Sequence, residues 1–128
     1  AVVIPRHGFI PHFFSIIKQR GALLAKGFVA GLQFDTLFTG GLYEAGGRTA
    51  VEAADRIRRA LDEAGYPQAY PTHANQIFPV MTQEQVRRIS EEAELGHWED
   101  LDDGRCIMRI TTSWATTKEE TDALIRLL

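Results

Sequence analysis

The spacing of apolar and polar residues divides the chain into a series of predicted elements. The clearest is a helix from about Leu42 to Ala64, in which Val51, Ala54, Ile57, Leu61 and Ala64 recur at three- and four-residue steps on one face. Glu52–Arg56 and Asp55–Arg59 lie four apart with the acid first, the favourable order for pairs on a solvated helix face. Gly65 stands where a C-terminal cap is needed. Upstream, Ala1-Val2-Val3-Ile4, closed by Pro5, reads as a buried strand. Phe13–Arg20 has the apolar density of a buried helix, interrupted by Gly21. Ala22–Phe38 stays apolar most of the way round, with only Lys26 and Asp35 charged, which predicts burial against other elements or in a subunit contact.

Tyr66 to Asn75, broken by Pro67 and Pro71, reads as a loop. Gln76–Met81 follows as a short strand, with Pro79 marking an edge position or a bulge. Thr82 and Gln85 have the spacing of a capping box, opening a helix with Val86, Ile89 and Ala93 that ends before Gly96. Strands are predicted around His97–Leu101 and Arg105–Trp114, joined through Asp102-Asp103-Gly104 in a tight hairpin. Thr117 and Glu120 repeat the capping spacing before a last helix with Leu124, Leu127 and Leu128 on its apolar side. This order implies an α+β unit, a small, mainly antiparallel sheet covered on one face by helices.

Composition narrows the function classes. With 128 residues, 45% apolar, the chain can bury a core of ordinary size. A formal charge of −3 argues against an obligate nucleic-acid binder. One cysteine permits no internal disulfide and no cysteine-rich zinc knuckle, so a cytoplasmic setting is expected. No apolar run approaches the ~18 residues of a membrane span, and no signal-peptide layout is present. The apolar run at Ala1 leaves two readings, a short edge strand at a processed terminus or the back part of something longer.

The familiar catalytic signatures GxSxG, HExxH, GxxxxGK[ST] and CxxC are absent. His7, His12, His73 and His97 share no metal-ligand spacing, and no metal site is predicted. Cys106 alternates with Met108 and Ile110 on one strand face, the setting of a buried, inert thiol. Arg109 points the other way, with Ile107 and Thr111. A mid-strand guanidinium needs a partner, and its planar fork suits a carboxylate or phosphate; an internal salt bridge or an edge-exposed side chain would serve equally. Lys26, among glycine, alanine and leucine, could meet an anion closely, or pack its stem and hold its ammonium in water.

Two segments carry a family likeness. Lys18-Gln19-Arg20-Gly21-Ala22-Leu23-Leu24-Ala25-Lys26-Gly27 resembles the basic, small-residue segment that follows the cofactor lysine in threonine aldolase-like enzymes, the pyridoxal-phosphate-dependent aldolases and β-eliminating lyases of the aspartate-aminotransferase fold type. Met108–Thr117 resembles their late strand, and Ala74-Asn75-Gln76 leading to Phe78-Pro79 falls in matching order. The resemblance implies a fold-type-I architecture, with residues 1–41 as the tail of the large cofactor domain and 42–128 as the small C-terminal domain. It implies that Arg109 binds the substrate carboxylate and that Lys26 contacts the phosphate of pyridoxal 5'-phosphate in a homo-oligomer, dimer or tetramer. In the family the lysine that carries the cofactor lies before the position matching Ala1, so this chain alone is expected to be inactive. The whole enzyme would cleave β-hydroxy-α-amino acids to glycine and an aldehyde. The reading from another class is a non-catalytic α+β interaction module that binds through Ala22–Phe38.

Overall fold

A computed structural model describes residues 3–128 and orders the elements as α1 (Phe13–Gln19), α2 (Gly27–Phe38), α3 (Leu42–Glu63), β1 (Gln76–Ile77), β2 (Val80–Met81), α4 (Gln83–Ile89), β3 (Gly96–Asp100), β4 (Cys106–Thr111) and α5 (Lys118–Leu127). Two units are distinguished, Ala1–Gly40 and Gly41–Leu128.

In the first unit the expected strand is not seen where it can be checked. Ala1 and Val2 lie outside the described residues, Val3 and Ile4 are not in a strand, and Val3 is 87% exposed. A strand needs a ladder to join, and the described part of this unit offers none. The two helices form where apolar density predicts them, but neither buries a residue within this chain. Phe14, Phe28 and Leu32 are all exposed. An all-round apolar surface singles out no face, so its cover has to come from several sides.

The second unit is organised by α3. Its buried residues are Ala50, Ala53, Ala54, Ile57 and Leu61, whereas Val51 is only half-buried and Ala64 is exposed, so the face is rotated slightly from the predicted one. Gly65, at φ 80°, ends it: Gly65 N–H donates to Asp62 O (3.1 Å) and Tyr66 N–H to Leu61 O (2.9 Å), a Schellman closure that only a left-handed residue accommodates cheaply. Tyr66 then packs with Leu61 in the core. The predicted surface pairs rearrange. Arg56 pairs with Asp122 of α5 rather than with Glu52, and Asp55 pairs with Arg58, whose Nη2 also donates to Ala74 O at 3.0 Å. Arg56 is thus taken by a neighbouring element, whereas Asp55 stays within α3 but pairs three residues on instead of four.

All sheet pairings are antiparallel and run through β4, which has β1 and β2 on one flank and β3 on the other. A single register runs through β1 and β2, from Gln76 opposite Thr111 to Met81 opposite Cys106. Pro79 splits them because it accepts from Met108 N–H (3.0 Å) but has no N–H to return. The loop is less irregular than its prolines suggest, since Gln68 bridges Pro79, with Ala69 N–H on Phe78 O and Val80 N–H on Pro67 O. Both capping boxes form, Thr82 with Gln85 and Thr117 with Glu120. The hairpin closes through Gly104 (φ 82°), but β4 stops at Thr111, short of the predicted Trp114.

Alternation along β4 sorts its side chains. Cys106, Met108 and Ile110 join Ile77, Met81, Ile57, Leu61 and Ile89 under the helices. Burying each large aliphatic group there contributes ~1.5–3 kcal/mol. Ile107 lies on the opposite face with Phe78 and Val80. The unit is therefore α+β, with helices on one side of a small antiparallel sheet and a thin apolar cover on the other.

Candidate functional site

Arg109 stands on the side of the sheet away from the helices, as its place in the alternation requires. It is exposed although its neighbours Met108 and Ile110 are buried. No carboxylate pairs with it among the described residues, which removes the internal salt bridge from its two structural alternatives. Its guanidinium instead lies over the indole of Trp98, with Cζ 5.5 Å from the ring centroid. This is a cation–π contact, and with no carboxylate paired to the guanidinium among the described residues its fork is not taken up by an ion pair.

The surroundings of Arg109 come from both flanking strands. Gly96 is its direct partner on β3, and a Cβ there would stand 3.2 Å from Arg109 O and 3.6 Å from its Nε. The register of β3 then shifts between His97 and Glu99, making Trp98 the extra residue of a β-bulge. From this bulge the indole reaches over the central strand to Phe78, on the far flank, edge-on at 5.1 Å between centroids. Phe78 meets Tyr70 in the same manner at 5.4 Å, and Tyr70 Oη donates to Glu99 Oε2 at 3.2 Å. Sequence reasoning missed Trp98, Gly96 and Phe78 as site residues. A bulge leaves no mark on periodicity, although an aromatic in an otherwise polar strand opposite an arginine was a usable signal.

The end of β4 is fixed by polar contacts. Thr112 N–H donates to Asn75 O (3.0 Å), Asn75 Nδ2 donates to Thr112 O (2.6 Å), and Thr112 Oγ1 donates to Ala50 O of α3 (2.6 Å). Thr112 is buried, so these bonds remove the cost of placing its hydroxyl in the core. Cys106 is buried, and burial pushes its thiol above the ordinary range, as suits an inert side chain.

Lys26 belongs to the first unit and Arg109 to the second. Lys26 is exposed, at the N-cap position of α2, and the first N–H groups of that helix receive no side-chain cap. A cation beside uncapped helix N–H groups, followed by Gly27, is chemistry that fits a phosphate. No group of three or more potential metal ligands occurs among the described residues. No helix among them is long and apolar enough to cross a membrane.

No protein-family model and no curated protein sequence matches the chain. A solved structure does: that of a threonine aldolase from Leishmania major, at a TM-score of 0.85 and 34% identity over 92% of this chain. The match takes in 34% of the Leishmania chain, so the present chain spans about a third of that protein's length. The α+β architecture of the described residues, five helices and a four-stranded antiparallel sheet, matches the C-terminal portion of such an enzyme.

Proposed function

We propose that this chain, threonine aldolase-like in sequence and fold, forms the carboxylate-binding side of the active site in a pyridoxal-phosphate-dependent carbon–carbon lyase. The substrate is a β-hydroxy-α-amino acid, and the products are glycine and an aldehyde. The observation that carries this reading is Arg109: an exposed guanidinium in mid-strand, held against an indole, with no carboxylate partner among the described residues. A bidentate bond from its N–H edge to the substrate carboxylate fixes the Cα substituents, which sets the scissile bond in the orientation that cleavage needs. Lys26, with the N–H groups at the start of α2, would hold the cofactor phosphate. Pyridoxal phosphate, when bound, supplies the sink for the electron pair released as Cα–Cβ breaks.

Residues 1–41 then belong to the tail of the large cofactor domain, and 42–128 form the small domain. The lysine that carries the cofactor is supplied by a part of the protein outside this chain, and the chain by itself is inactive. The enzyme is a homo-oligomer, a reading favoured by the exposed apolar side chains of α2.

Arg109→Ala in the complete protein tests the assignment. Loss of a charge-assisted bond worth about 2 kcal/mol raises KM for the amino acid roughly 30-fold. Unchanged kinetics would remove Arg109 from the site.

A further inference from the structure

Resting on the reading of Arg109 as the carboxylate ligand, we infer that Trp98 is a positioning residue that holds the guanidinium ready for substrate. Three features of the sheet converge on this role. The first is the bulge, which places Trp98 out of the regular ladder and sends its indole over β4. The second is Gly96, the cross-strand partner of Arg109, whose missing Cβ leaves space beside the arginine side chain. The third is the brace behind the indole, where Phe78 meets it edge-on and Tyr70, bonded to Glu99, supports Phe78 in turn.

The physical benefit is pre-organisation. An exposed arginine without an ion pair explores many rotamers, and each must be given up when a carboxylate binds. Contact with the Trp98 ring confines the side chain beforehand, and no carboxylate among the described residues ties up its donors. A second arginine partner such as aspartate would confine it equally well but would compete with the substrate. An aromatic face attracts the cation without an ion pair that the substrate would have to displace. Trp98 is 47% exposed, so the ring is braced on one side and open on the other.

The test uses the complete protein with Trp98→Leu, Trp98→Phe, Arg109→Ala and the Trp98→Leu/Arg109→Ala double variant. Trp98→Leu should raise KM about three- to tenfold, the range of a cation–π contact, with kcat within about twofold. Trp98→Phe, which keeps an aromatic face, should recover most of the loss. In the Arg109→Ala background Trp98→Leu should have no further effect. A second readout is independent of turnover: with 5-fluorotryptophan incorporated, the fluorine resonance assigned to Trp98 by its absence in Trp98→Phe should shift on addition of glycine, and should not shift in Arg109→Ala. The inference is overturned if Arg109→Ala raises KM while Trp98→Leu leaves it unchanged, or if the two effects are additive. It is also overturned if the Trp98 resonance ignores glycine in a protein whose KM depends on Arg109. A silent Arg109→Ala would instead overturn the carboxylate assignment itself, and this inference with it.

Discussion

Helices α2 and α3 invert the relation usually expected between apolar content and burial. The first is built largely of phenylalanine, leucine, valine and glycine, yet none of its residues is buried in this chain. The second is rich in arginine, aspartate and glutamate, yet it buries five residues against the sheet and α5. What differs is arrangement. Alanine, isoleucine and leucine on α3 form one stripe whose width matches the apolar face of β4, and polar residues keep the remainder in water. On α2 the apolar groups surround the axis, so no single neighbour satisfies them. The contrast shows that the arrangement of apolar residues, more than their number, decides which helix buries a face.

The largest expected effect sharpens this contrast directly. Leu61→Ala should cost about 3 kcal/mol in urea denaturation followed by circular dichroism, because it opens a cavity in a closed core. Leu32→Ala in α2 should cost less than about 0.5 kcal/mol in the same assay on this chain. An equal loss at Leu32 would break the comparison by showing that α2 is packed after all.

A smaller effect concerns how the second unit ties its end. Arg88 Nη2 donates to Tyr66 Oη (3.0 Å), Leu127 O (3.2 Å) and Leu128 O (3.1 Å), satisfying carbonyls that α5 leaves unpaired. Arg88→Ala should therefore lower stability by about 1 kcal/mol and speed amide exchange in the last turn of α5. Thr117→Ala, which removes the hydroxyl half of the capping box, should cost up to about 1 kcal/mol and fray the other end of the same helix.

The smallest effect is a pH dependence. The Arg56 guanidinium holds the Asp122 carboxyl below its ordinary range, so the unfolded chain takes up a proton there before the folded one does. This contribution is complete above the ordinary carboxylate pKa and is lost as pH falls through the lower folded value. Asp122→Asn should flatten the acid limb of the stability profile, seen as a smaller difference between denaturation midpoints at about pH 7 and about pH 3. An unchanged limb would mean that α3 and α5 are held by packing alone.

Much of the second unit was legible in the sequence because its signals are local. Capping boxes, the Gly65 stop, the Asp102-Asp103-Gly104 turn and the two faces of β4 depend on residues within a few positions of one another. Arg109 was legible for the same reason, since alternation alone puts it opposite Met108. Its setting was not. The bulge at Trp98 and the reach to Phe78 depend on three strands meeting, and the transfer of Arg56 from Glu52 to Asp122 depends on α5 arriving beside α3. The burial expected of Ala22–Phe38 failed within this chain because apolar density reports a need for cover and does not supply it.

Pro79 has one more consequence. An outer strand normally offers alternating donors and acceptors on which a foreign strand can template. Here the donor that Pro79 lacks would have faced β4, and the outward-facing groups on either side of it, Phe78 O and Val80 N–H, are already engaged by Ala69 and Pro67. That border of the sheet is sealed against the strand-by-strand growth that seeds aggregates, at the cost of one missing rung in the ladder.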